Sequence, residues 1–284
     1  MAPEPDGTGD TATAPERAPS TDLKMDVPHG ARMYDWYLGG KDNFPADQAA
    51  AAKVVEVFPD VVTTARANRR FLGRAVRFAA EQGIRQFLDI GTGIPTSNNT
   101  HEAAQAVLPD ARVVYVDNDP IVLVHARALL QGTAQGRTAY VDADFRDPTA
   151  ILHSPEAKDL LDFSQPIALM VVSLLHFFPE SDRPAQILDG LKAVLPPGSA
   201  LILSHATGDF TPPEVAAAVL KTYAAAGVSL TSRTHAEVLD FFKGMDLADP
   251  GLVPVHKWRT DTDEDRTLTQ EAVATYGGVA IKHG

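Results

Sequence analysis

The spacing of hydrophobic and polar positions divides the chain into stretches of different character. Residues 1–22 contain no Val, Ile, Leu, Phe, Tyr or Trp. A segment with so little apolar surface cannot offset the entropy of its own ordering, so a disordered leader is predicted there. Two helical patterns follow, over 47–57 and 60–81. In the second, Val61, Ala65, Asn68, Phe71, Leu72, Ala75, Val76 and Ala79 fall near a 3.6-residue period, and Gly83 is a stop signal. The rhythm then becomes an alternation. Short runs rich in Val, Ile and Leu at 84–90, 112–116, 138–141, 167–172 and 199–204 predict strands. Helical patterns at 98–107, 120–131 and 183–194 separate some of them, with Asp119 and Pro120 as N-cap and first residue of the second. Strands alternating with helices imply right-handed crossovers and a parallel sheet covered on both faces. Helices are predicted again at 213–226 and 235–242, and β-like segments at 252–257 and 272–282, the last as an antiparallel edge strand. The predicted fold is α/β: a doubly wound, mostly parallel seven-stranded sheet over 81–284, with a helical cap over 23–80.

Composition narrows the function. Lys and Arg number 25 against 37 Asp and Glu, a formal charge of −12. That balance lacks the basic footprint needed to grip nucleic acid through its phosphates. Cysteine is absent, which removes disulfides, thiolate metal sites and a cysteine nucleophile. No apolar run approaches the about 18 residues of a membrane-spanning helix, and no apolar secretory core begins the chain. A soluble, cytoplasmic protein without a membrane partner is expected.

Three consecutive predicted strands end in candidate ligand groups. The first ends Leu88-Asp89-Ile90-Gly91-Thr92-Gly93, where glycines permit a tight turn and close approach to a ligand. The second ends at Asp117, twenty-six positions after Gly91 and near the roughly twenty of a dinucleotide fingerprint, where a carboxylate can accept from a ribose diol. The third ends Val141-Asp142-Ala143-Asp144-Phe145. There a carboxylate beside a free N–H can read an adenine; Asp142, Asp144 and Asp147 are the candidates. In open α/β sheets such ligands lie beyond the carboxyl ends of the strands. The set suits a nucleoside with a small tail better than a dinucleotide, because position 96 is Thr and Pro95 interrupts the glycine pattern.

The motifs LDIGTG, YVDNDP and DADF, in this order, resemble motifs I to III of class I S-adenosylmethionine-dependent methyltransferases. With PHGARMYDWYLGGKDNF, ARANRRFL and FLDIGTGIPTSNNTHEAAQ, the chain from about Val27 onward resembles an actinobacterial S-adenosyl methyltransferase family, once a domain of unknown function. The resemblance implies S-adenosylmethionine as cofactor. It puts Gly91, Thr92 and Gly93 against the methionine part and Asp89 near its ammonium. Asp117 would hold the ribose and Asn118 the adenine face. Asp144 and the Phe145 N–H would read the adenine edge, and Ser173 to His176 would line the side of methyl transfer. The resemblance does not identify the acceptor.

Methyl transfer from a sulfonium needs alignment first, and a base only if the acceptor must lose a proton. His176 and His205, both at predicted strand ends, are candidates to face the acceptor. Tyr34 and Tyr276 offer hydroxyls. The loop after the fourth strand, Ser173-Leu-Leu-His176-Phe-Phe-Pro179, lacks the Asn/Asp-Pro-Pro-aromatic pattern used on exocyclic amines of nucleic-acid bases. A small-molecule acceptor is therefore expected. The stretch Arg32 to Phe44 reads as a lid hinged at Gly39-Gly40, with Tyr34, Trp36 and Tyr37 available to stack on an acceptor, or as a packed arm. Arg66, Asn68 and Arg69 read either as contacts to that lid or as a solvated face. Asp261 to Asp265 reads as an acidic surface loop and not a calcium site. The competing functions are a non-catalytic binder of S-adenosylmethionine or its product, and a nicotinamide-dependent oxidoreductase. The second would need a continuous glycine fingerprint, and no Ser-Tyr-x-x-x-Lys set is visible.

Overall fold

The computed structural model describes residues 23–96, 98–122 and 133–284. The predicted leader lies outside these residues, as does the predicted 120–131 helix beyond Val122. Helices α1 (Gly30–Tyr37), α2 (Pro45–Val57) and α3 (Val61–Glu81) precede strand β1 (Gln86–Ile90). Then come α4 (Thr100–Gln105), β2 (Arg112–Asp117) and β3 (Arg137–Asp142), two helices α5 (Pro148–His153) and α6 (Pro155–Leu160), and β4 (Ile167–Val172). The chain continues through α7 (Pro184–Ala193), β5 (Ala200–Ala206), α8 (Pro213–Ala225) and α9 (His235–Asp240), and closes with β6 (Asp246–Leu247), β7 (Val253–Pro254), α10 (Asp263–Thr267) and β8 (Thr275–Ile281).

The sheet order is β3-β2-β1-β4-β5-β8-β6, with β7 also paired to β8. The first five strands are mutually parallel and β8 runs antiparallel to β5. The expected edge strand is thus interior. Its outer side is taken by β6 and β7, two residues each, in registers Leu247↔Ala280 and Val253↔Gly277. The β-like run at 252–257 pairs only over Val253–Pro254 before turning into a 3₁₀ turn at Val255–Lys257, as a proline at a sheet edge permits.

The period-2 alternation of the strands sorts two cores. Leu88, Ile90, Leu169, Val171, Leu201 and Leu203 face one side. Phe87, Val113, Met170, Ile202 and Val279 face the other, where they meet Phe71, Leu72, Ala75, Val76 and Ala79 of α3. The helical region of residues 23–80 therefore divides. The middle and end of α3 form a layer on the sheet. Helices α1 and α2 pack instead around a third core with α8, built on Met33, Tyr37, Ala51, Val54 and Tyr223. Helices α5 and α6 were not anticipated. At six residues each they are too short to show a period, although Asp147-Pro148 and Ser154-Pro155 are cap-plus-proline signals; Asp147 Oδ1 accepts from Ala150 N at 2.9 Å and Ser154 Oγ from Ala157 N at 3.1 Å.

The acidic run after Thr260 is not a free surface loop. Asp265 is buried, accepting from Arg70 Nε at 2.7 Å and from Arg74 Nη1 at 2.6 Å. Arg74 is itself buried and also donates to the carbonyls of Trp258 and Val255. This pair ties α10 to α3. Removing one partner of a buried pair leaves an uncompensated charge. Asp265→Ala is expected to lower stability by about 3 kcal/mol, read as a shift in the urea unfolding midpoint; an unchanged midpoint would show that the pair contributes nothing.

Candidate active site

The carboxyl ends of the parallel strands share one edge of the sheet, and a cavity of about 480 Å³ opens over it. Asp89, Gly91, Thr92, Gly93, Asp117, Asn118, Asp144, Phe145 and Ser173 all line it, so the residues that the resemblance assigns to the cofactor converge there. Pro28 to Ala31 of the N-terminal arm supply the opposite wall.

The glycine turn is held by the backbone. Gly91 N and Thr92 N donate to Val116 O at 2.8 and 3.2 Å, and Gly93 N donates to Asp117 Oδ2 at 2.8 Å. Gly91 has φ +74°, and a Cβ there would lie 2.4 Å from Leu174 Cδ1. Glycine is thus needed for the turn and for the packing of the β4 loop against it. Asp117 Oδ1 also accepts from Asp119 N at 3.0 Å. These bonds favour the carboxylate, but burial outweighs them and pushes Asp117 above its ordinary range. Asp89 accepts from Thr100 Oγ1 at 2.7 Å. Burial is again the larger effect and pushes its carboxyl up to about 6. Asp144 is the contrast. Burial raises it, but the Arg146 side chain and N–H, with Asn118, hold it below the usual carboxylate range. The Asn118 Nδ2–Asp144 Oδ2 bond is 2.9 Å. The Phe145 ring packs on Phe178 at 4.9 Å between centroids. Neither Asp142 nor Asp147 lines the cavity; Asp147 caps α5.

The arm is clamped to this edge. Arg32 Nε and Nη2 donate to Asp119 at 2.8 and 3.0 Å, and both residues are buried. Asp119, expected as a helix cap, accepts from Ile121 N as well. The Gly39-Gly40 turn is knit by side-chain bonds. The Asp35 carboxylate accepts from Asn43 Nδ2 at 2.7 Å and Asp42 N at 3.0 Å, and a Cβ on Gly40 would fall on that carboxylate. The Asp-Asn pair after the glycines therefore closes a turn.

A second cavity, of about 120 Å³, adjoins the first. Gly30, Tyr34, Asn68, Ser173 and Phe177 belong to both. Asn68 is the hub of this shared wall. Its Nδ2 donates to Tyr34 Oη at 3.0 Å and Ser173 Oγ at 3.1 Å, and its Oδ1 accepts from Ser204 Oγ at 2.6 Å. Of the three neighbours on α3, Asn68 touches the arm, Arg69 lines the first cavity and donates to Asn99, and Arg66 is exposed. Tyr34 donates to Ala65 O at 2.9 Å, and burial raises its hydroxyl. Tyr37 lines the second cavity, whereas Trp36 lines neither.

The two histidines separate. His176 lines the second cavity. Its Nδ1 accepts from Ala206 N at 3.3 Å, so the neutral ring carries its proton on Nε2. Burial, with His205 and Arg233 nearby, holds it well below the ordinary imidazole value. His176 therefore lines that cavity with its remaining Nε2–H as a hydrogen-bond donor. His205 does not face either cavity. It is fully buried, its Nδ1 donates to Ala206 O at 2.6 Å, and its Nε2 accepts from Arg233 Nη1 at 2.9 Å. Burial is the main reason its imidazole falls to about 4. Both nitrogens are engaged, so the structure does not bring it to face an acceptor as expected. Arg233, which sequence reasoning missed, extends this contact to Glu180 and to the carbonyls of Leu175 and Phe178, fixing the loop that carries His176. Tyr276 donates to Asp209 at 3.0 Å and lines neither cavity.

Comparison with known proteins agrees with this geometry. The S-adenosyl methyltransferase family matches residues 16–283. A DUF574 family protein from Streptomyces avermitilis is 47% identical over 92% of this chain and 100% of its own, with a TM-score of 0.89. A Thermobifida fusca protein assigned as a methyltransferase is 38% identical over 95% of this chain and 100% of its own, with a TM-score of 0.84. The plantazolicin methyltransferase BpumL, crystallised with S-adenosylhomocysteine, shares the fold at 13% identity and a TM-score of 0.50, over 89% of this chain and 96% of its own. No curated protein matches the chain. The chain belongs to the S-adenosyl methyltransferase family and is an S-adenosylmethionine-dependent methyltransferase.

Proposed function

We propose that S-adenosylmethionine is held in the larger cavity and that its methyl group passes to a small molecule in the smaller one. The observation that carries this reading is the wall common to both, Tyr34, Asn68 and Ser173, because in-line transfer requires donor and acceptor to meet at one boundary. The fit of the cofactor rests on Asp89. Its buried carboxyl, pushed up to about 6 by burial, lines the larger cavity. A ligand ammonium beside it restores the ionised form. S-adenosylmethionine would supply a methyl carbon on a cationic sulfonium that departs as a neutral thioether.

The chain's own residues bind and align. Asp117, fixed by Gly93 N and Asp119 N, keeps lone pairs for a ribose diol. Asn118 and Asp144 close the far end for an adenine amine, with the Phe145 N–H for its ring. The Asn68 network sets Ser173 and the Tyr34 hydroxyl at the boundary. The −12 charge and the volume of the smaller cavity favour a small-molecule acceptor over a nucleic acid. We place the activity in the cytoplasm; no helix among the described residues is long and apolar enough to cross a membrane.

Two outcomes test these assignments. Asp117→Ala removes two charge-assisted bonds, and by calorimetry its affinity for S-adenosylhomocysteine should fall about 100-fold, with NAD binding neither protein; retained affinity would refute the ribose assignment. Asp89 has a folded pKa of about 6, above its unfolded value. Its stabilising contribution is therefore present at low pH and is lost as pH rises through about 4 to 6. Asp89→Asn should gain stability relative to the parent as pH rises across that window, measured by urea unfolding at pH 4.5 and pH 7.5, while losing affinity for S-adenosylhomocysteine. A pH-independent difference would show that Asp89 titrates normally.

A further inference from the structure

We propose that the smaller cavity takes an uncharged, ring-sized apolar group of the methyl acceptor, met by the His176 imidazole as a hydrogen-bond donor. The inference rests on the two-cavity reading above and adds the acceptor's chemical class.

The two cavities differ in charge. The larger is lined by Asp89, Asp117, Asp144 and Asp182, with Arg69 and Arg146. Among the described residues, no Asp, Glu, Lys or Arg lines the smaller one. Its wall is Tyr37, Phe58, Val61, Val219, Leu220 and Leu230, with hydroxyls of Thr and Ser between them. Its titratable side chains stay neutral in the physiological range. Burial raises Tyr34, Tyr37 and Tyr223, and lowers His176. A carboxylate or ammonium entering this space would lose its hydration and find no counter-charge, which costs several kcal/mol.

Size points the same way. A cavity of about 150 Å³ lined by apolar side chains holds benzene, and this one measures about 120 Å³. It accommodates roughly one ring before side chains must move. Orientation comes from the polar groups. The Ala206 amide holds Nδ1 of His176, so the Nε2–H remains to donate, and Nε2 has no hydrogen-bond partner among the described residues. A heteroatom lone pair on the acceptor is the matching group.

The test uses the full chain saturated with S-adenosylhomocysteine, whose binding is established first by calorimetry. Failure at that step counts against the cofactor reading and not against the acceptor class. Ligand-observed NMR titrations then compare phenol, toluene, benzoate and benzylammonium at pH 7. Phenol is expected to bind in the millimolar range. Benzoate and benzylammonium should bind at least about tenfold more weakly, as an uncompensated charge requires. Val219→Asp, on the half-buried wall of α8, should weaken phenol by about tenfold and leave S-adenosylhomocysteine affinity unchanged. His176→Phe should erase the preference for phenol over toluene. Phenol failing to bind the cofactor-loaded protein, either charged probe matching it, or Val219→Asp leaving its affinity unchanged would overturn the proposal.

Discussion

The buried ion pair between Arg32 and Asp119 is the contact on which the rest of the site depends. A bidentate guanidinium–carboxylate pair removed from water is tolerated only when its geometry is good and its other hydrogen-bonding groups are satisfied. Here they are: Arg32 also donates to the carbonyls of Leu23 and Lys24, and Asp119 accepts from Ile121 N. The pair joins the N-terminal arm to the loop after β2, two residues from Asp117. The same loop is bonded to the glycine turn after β1. Arm, turn and the Asp117 carboxylate are therefore one connected unit, which lines one side of the larger cavity.

The division between two neighbouring cavities follows from the sheet. Strands β1 to β3 deliver acids and glycines to one half of the carboxyl edge. Strands β4 and β5 deliver Ser173, the His176 loop and Ala206 to the other. Helices α1, α3 and α8, with Phe58, then close the second half with aromatic and aliphatic side chains. Polar recognition and apolar enclosure thus sit side by side, meeting at Asn68, whose single amide reaches α1, the β4 loop and β5.

Much of this was legible in the sequence because it depends on local rules. The helix predicted over 60–81 matches the observed α3 within a residue, since a long amphipathic period is a strong signal. The convergence of Asp89, Asp117 and Asp144 on one cavity was legible because strand ends meet along one edge of any parallel sheet. What was not legible depends on contacts distant in sequence. The pairing of Asp265 with Arg70 and Arg74 turns an apparent surface loop into a buried anchor. The interior position of β8 is set by two-residue strands too short to carry a pattern. His176 and His205 look equivalent at adjacent strand ends. Only the direction of the Ala206 amide and the Arg233 guanidinium distinguishes a ring open to a cavity from one locked in the core.

The common wall has a thermodynamic consequence. Tyr34, Asn68 and Ser173 contribute surface to both cavities and are bonded to one another through one amide. A ligand on either side that resets this network alters the free energy of binding on the other. Linkage makes that effect reciprocal: whatever factor the cofactor contributes to acceptor affinity, the acceptor returns to the cofactor. An amide with partners on α1, the β4 loop and β5 is thus the physical link between the two chambers.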